Sequence, residues 1–201
     1  MQRPDQILSF WLDEIAPSDW YSSDSDLDAR IRDRFLRTWE GAMEGSCGMW
    51  LTYPSGVLAY VILLDQFSRN MFRGDARAFS SDPLALAAAK VAIHKNWDRT
   101  IDEPARQFFY MPLMHRETID DQERCVRLFC SRMPETGESN LLHARVHREI
   151  IRRFGRFPGR NEALGRRSSS EEKQFLDDHG YAELLQEMRE RSAPQGVAAA
   201  G

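Results

Sequence analysis

Lysine is almost missing from this sequence: Lys90, Lys95 and Lys173 stand against 24 arginines in 201 residues. A GC-rich genome explains most of such a bias, so the informative question is where the arginines cluster. A guanidinium grips carboxylates and phosphates in two-pronged fashion. A basic excess is missing too. The net charge is −4, which gives no footprint for nucleic acid or an anionic membrane. Cysteine is sparse. Cys47, Cys125 and Cys130 are odd in number and lack a framework spacing, so reduced thiols in a cytoplasmic protein are expected. No apolar run approaches the roughly 20 residues of a membrane helix, and the opening Met1 to Gln6 lacks a signal peptide's apolar region. Strand alternation and hairpin dipeptides are absent. So are a phosphate-binding glycine loop, a dinucleotide fingerprint and a Gly-x-Ser-x-Gly elbow, and no cofactor is expected.

What is present reads as one all-α domain over residues 1–191, followed by a flexible tail at 192–201. A chain of 201 residues buries about 70% of its unfolded surface, enough for a core without staples. Pro4 to Glu14 carries an apolar stripe at helical spacing, and Leu27, Ile31, Phe35 and Trp39 repeat every four residues along a second helix to Glu44. The apolar run Val57 to Leu64 continues into Phe67 and Met71 and stops at Gly74, which predicts a central, buried helix. Asp82-Pro83 is expected to cap and open an Ala-rich helix to Ile93. Pro112 interrupts a segment from Asp102 to Glu117. Further helices are expected over Asp120 to Met133, Asn140 to Phe154, from the capping box Ser169-Ser170-Glu171-Glu172, and over Tyr181 to Arg191. Eight or nine helices in antiparallel pairs result, a tetratricopeptide-repeat-like bundle.

Two stretches stand out chemically. The second half of the central helix presents Asp65, Gln66, Arg69, Asn70 and Arg73, with Asp65 and Arg69 spaced for an ion pair one turn apart. The loop after Phe154 alternates aromatics with Arg156, Arg160 and Asn161; residues 152–167 hold six arginines against Glu162, a local charge of +5. Such a loop needs acidic partners or an anionic ligand. The structural alternative is that Arg156 and Arg160 pair with acids such as Asp65 and Glu117 and pin the loop to the bundle. His115 and Glu117 are two residues apart and cannot share one helix face, so they form a general-base pair only through an irregular backbone. His143 and His147 have the spacing of two zinc ligands, but Ala144 occupies the place of the zinc-protease glutamate and no third ligand is evident; no metal is expected.

The motifs together resemble the bacterial domain-of-unknown-function 924 family. The resemblance runs from about Ile7 to Leu176. It rests on Phe10-Trp11, Leu63-Leu64-Asp65-Gln66-Phe67-Ser68-Arg69-Asn70, Phe72-Arg73-Gly74, Asp82, Tyr110-Met111-Pro112-Leu113-Met114-His115-Arg116-Glu117, Asp121-Gln122, His147, Phe154 to Asn161, Leu164-Gly165-Arg166 and Glu171-Glu172. It implies an all-α, tetratricopeptide-like fold and brings no activity, substrate or cofactor. Two positions depart from the family pattern: Ser68, where proline is usual, and Gly159, where histidine is expected. A catalytic role of that histidine elsewhere in the family would be missing here.

Three readings follow. In the first, Asp65, Gln66, Arg69, Asn70, Arg73, His115, Glu117, Gln122, His147, Arg156, Arg160 and Asn161 line a polar site for a small anionic molecule or a peptide terminus. In the second, the protein is a hydrolase with His115 or His147 as general base. The third is a tetratricopeptide-like interaction module. No nucleic-acid or membrane partner is expected, and the oligomeric state is left open.

Overall fold

A computed structural model describes residues 1–192, so the expected tail beyond Ser192 lies outside the described residues. Among them there is no strand, and no helix is long and apolar enough to cross a membrane. The chain is all-α, as its periodicity predicts. In order, the helices are α1 (Pro4–Leu8), α2 (Ser25–Met43), α3 (Pro54–Val61), α4 (Ser68–Met71), α5 (Asp82–His94), α6 (Met111–Met114), α7 (Ile119–Arg132), α8 (Glu138–Phe154), α9 (Ser170–Asp177) and α10 (Gly180–Ser192).

The central helix is buried on all sides, with Ala59, Val61, Ile62, Leu63, Leu64 and Phe67 fully inaccessible. It is also irregular. Between α3 and α4 the residues Ile62–Phe67 form a π-helical turn, with helical backbone at both joints, so α3 and α4 are one continuous helix. A π turn displaces carbonyls from the regular ladder, and side chains take them up here. The Leu64 carbonyl accepts from Ser68 Oγ at 2.8 Å and from Ser81 Oγ at 2.5 Å. The Asp65 carbonyl accepts from Arg69 Nη1 at 2.5 Å. A second π turn, Ser9–Glu14, extends α1 to its expected end.

Most of the large core wraps this helix. Phe10, Trp11 and Phe35 meet Phe67 with ring centroids 4.8 to 5.9 Å apart, an arrangement that adds to the area they bury. The stripe Leu27, Ile31, Phe35 and Trp39 of α2 faces inward as its spacing requires. Ala85, Ala88, Ala89 and Ala92 of α5 are buried and let α5 lie close to α3. Trp20, in the loop after α1, is also buried, its indole N–H donating to the Trp11 carbonyl at 2.8 Å. A second, smaller core joins Val146, Ile150 and Ile151 of α8 to Phe157 and to Leu184 and Met188 of α10. Gly155 ends α8 with φ of 68°, a conformation glycine adopts without strain. Ser169 opens α9 with the predicted capping box.

Two local expectations change. Ser81, not Asp82, occupies the cap of α5, and Asp82 sits inside the first turn with its carboxylate on Arg69. Pro112 interrupts nothing: it lies in the first turn of α6, where a missing N–H costs no bond.

Candidate functional site

Asp65, on the π turn of the central helix, is completely buried and collects three partners. His115 Nδ1 lies 2.8 Å from its Oδ1, Gln66 Nε2 donates to Oδ2 at 2.5 Å, and Arg69 Nη1 stands 3.4 Å from Oδ1. Burial pushes the carboxyl up, but the charge of Arg69 and the hydrogen bonds from His115 and Gln66 outweigh it, so Asp65 stays ionised. Only an N–H can donate to a carboxylate, so Nδ1 carries the proton. Burial, followed by the Arg69 charge, lowers the pKa of His115 and outweighs the pull of Asp65. The ring is therefore neutral at pH 7, with Nε2 free as an acceptor. Among the described residues, no side chain or backbone group bonds that nitrogen.

Arg69 links Asp65 to α5, gripping both oxygens of Asp82 at 3.0 and 3.1 Å. Arg160, from the 3₁₀ turn Pro158–Arg160, approaches the same Asp82 no closer than 3.8 Å. Its guanidinium lies over the rings of Phe79 and Phe157, 4.8 and 4.5 Å from their centroids. It makes no side-chain hydrogen bond to any described residue, although only 15% of the side chain is exposed. Burial and the neighbouring Arg69 depress its pKa to about 10 against the pull of Asp82, Glu117 and Asp65. It remains a cation at neutral pH with its donors unused.

These groups border a cavity of about 210 Å³. Asp82, His115, Arg116, Glu117 and Arg160 form its polar side, and Phe79, Pro83, Leu86, Pro112 and Leu164 its apolar wall. Glu117 is anchored beside it: Arg166 grips both carboxylate oxygens at 2.7 and 3.0 Å, and the Phe157 N–H donates to Oε1 at 2.8 Å. The lining itself carries two carboxylates, Asp82 and Glu117, and two guanidiniums, Arg116 and Arg160, and Asp65, Arg69 and Arg166 stand behind them. His147 stands nearby on α8. Its Nδ1 donates to the His143 carbonyl at 2.8 Å, its ring meets Phe157 edge-on at 5.2 Å, and burial, with a smaller contribution from Arg160, lowers its pKa to about 3.

The other predicted residues lie elsewhere. Asn70 and Arg73 turn to Asp28 of α2, at 2.8 Å for Asn70 and 2.6 and 2.8 Å for Arg73. Gln122 is buried and donates to the Met114 and Arg116 carbonyls, closing the end of α6. Arg156 binds Glu172 and the Arg167 carbonyl, and Asn161 bonds Ser168, Glu172 and Arg166. The structural alternative, in which Arg156 and Arg160 pair with acids such as Asp65 and Glu117, takes another form: Arg156 pairs with Glu172, Arg160 lies near Asp82, and Glu117 pairs with Arg166. The participation of Asp82, Phe79 and Arg166 was not read from the sequence. The Asp82-Pro83 pair matched a cap, and nothing in the spacing links residue 69 to residue 82.

Gly159 opens on a separate depression of about 530 Å³, and a Cβ added there would meet no atom within 4 Å. A depression of about 490 Å³ between α8 and α10 is lined by arginines. Glu123 holds Arg148 and Arg152, and Glu187 lies 3.7 Å from Arg191. Among the described residues no three His, Cys, Asp or Glu side chains converge as a metal site.

The bacterial family of proteins of unknown function DUF924 matches residues 7–180. The solved structure of a protein of unknown function from Agrobacterium tumefaciens is 39% identical and superposes with a TM-score of 0.81, covering 87% of this chain and 97% of that one. No curated protein is significantly similar.

Proposed function

The chain belongs to the bacterial family of unknown function DUF924, and from that premise we propose that the cavity beside His115 and Arg160 binds a small molecule through an anionic group. The observation that carries this is Arg160: a mostly buried guanidinium, beside a cavity, with no hydrogen bond. None of its nitrogens is both sealed from solvent and unpartnered, so its free donors are open to the cavity, where a bound anion meets them with charge-assisted bonds. His115 lines the same cavity and supplies an acceptor in Nε2. Titration calorimetry with a panel of small carboxylates and phosphates tests the reading. At least one member should bind the protein, and Arg160→Gln should weaken it tenfold or more. A panel that is silent throughout, or binding unaffected by the substitution, contradicts it.

A second reading has its own observation, the Asp65–His115 pair. A buried carboxylate that fixes the Nδ1 proton leaves Nε2 as a positioned base. In a hydrolysis, Nε2 takes a proton from water, the resulting hydroxide adds to a carbonyl or phosphoryl centre, and the proton passes to the leaving group. The lining offers no hydroxyl or thiol, so water is the nucleophile in this scheme. His147, with a pKa near 3, is a poor base at neutral pH. His115→Gln should then abolish turnover while binding persists. The tetratricopeptide-like interaction module ranks third, since it rests on fold analogy alone. The three free thiols fit a cytoplasmic setting.

A further inference from the structure

We infer that the ligand is a small apolar α-amino acid, held with its carboxylate on Arg160, its ammonium between Asp82, Glu117 and His115, and its side chain on the apolar wall. This rests on the anion-binding reading above and narrows it.

Size comes first. The cavity of about 210 Å³ falls below the roughly 300–1,000 Å³ of sites for drug-sized ligands. A cavity of that size suits a small metabolite better than a nucleotide.

Charge comes second. The cavity lining presents both signs, the carboxylates of Asp82 and Glu117 and the guanidiniums of Arg116 and Arg160, so a ligand that carries both an anionic and a cationic group meets a partner for each. A phosphate dianion on Arg160 would face Asp82, which lies only 3.8 Å from that guanidinium. Asp82 and Glu117 each bind an arginine, yet 20% and 24% of their side chains stay exposed. A carboxylate has about four acceptor sites, so both retain capacity for an ammonium. His115 Nε2 accepts from the same group.

Shape comes third. A planar guanidinium lying over the rings of Phe79 and Phe157 donates in its own plane, the geometry of a two-pronged carboxylate contact. Phe79, Leu86 and Leu164 provide apolar surface in the same cavity. Three chemistries within one small space match the three groups of one amino acid.

Calorimetry on the full chain decides it, using valine, leucine and methionine, the deaminated analogue 4-methylpentanoate, the decarboxylated analogue 3-methylbutylamine, and inorganic phosphate. At least one amino acid should bind. For leucine, loss of either charged group should weaken binding tenfold or more, and phosphate should not compete. Arg160→Gln should abolish binding and Arg160→Lys should weaken it, with thermal melts confirming that both fold. Should Arg160→Gln not fold, Arg160→Lys and the ligand series on the wild-type protein still decide. If 4-methylpentanoate matches leucine, or phosphate binds more tightly, with dependence on Arg160, the amino-acid inference is overturned and the anion site stands. If no probe binds, both fall.

Discussion

Among the described residues two aspartates, Asp65 and Asp98, are completely buried, and they serve different ends. Asp98 accepts from Arg132 at 2.7 and 2.9 Å and from the Tyr110 hydroxyl at 2.6 Å. Asp65 has the same kind of partners, an arginine and a ring donor, but its ring is His115. Tyr110 is itself fully buried, and its one polar atom is consumed. His115 keeps a second nitrogen at a cavity. The first arrangement closes on itself and can only hold the fold together. The second ends in an unused acceptor, and across the same cavity Arg160 ends in unused donors. Buried charge alone does not mark a site; an incomplete set of partners beside empty space does.

The largest effect should come from breaking the closed set. Asp98→Ala strands Arg132 and Tyr110 and should cost about 3–5 kcal/mol in urea unfolding. Arg69→Gln, which leaves Asp65 and Asp82 without their cation, should cost about 2–3 kcal/mol by the same measurement. Acid should weaken the second region through His147. Its pKa near 3 lies below the unfolded value of 6.5, so the unfolded chain takes up its proton first. Stability therefore declines as pH falls from about 6.5 towards 3, and His147→Gln should flatten that slope in pH-dependent melts. Arg160→Gln should stay within about 1 kcal/mol of the wild type, or exceed it, because it removes a desolvated cation that has no hydrogen bond. A large loss of stability there would make Arg160 structural and erase the contrast with Arg69. The smallest effect belongs to Gly159→His, within about 0.5 kcal/mol, since the added side chain enters open space.

The two Arg-Asn pairs show how far the sequence could be read. Helical periodicity located the elements, because burying one face of a helix imposes a spacing that survives in the chain. The capping box at Ser169 was legible for the same local reason. The π turn at Ile62–Phe67 was not, since apolar residues surround it and a period cannot register one extra residue per turn. Arg69 and Arg160 do meet at one carboxylate, but Asn70 and Asn161 point away, to Asp28 and Glu172. Those partners lie 42 and 11 residues distant, and no spacing rule reaches them. The sequence sets His115 beside Glu117, while its carboxylate partner lies 50 residues away on the central helix.

The claim that Arg160 is an unfilled receptor is tested most directly by following arginine Nε–H signals in nitrogen-15 spectra while a carboxylate or amino-acid ligand is added. The account predicts that the Arg160 signal moves and saturates, while those of Arg69 and Arg156, already bound to Asp82 and Glu172, hold their positions. An Arg160 signal that stays fixed while binding is detected elsewhere would contradict it.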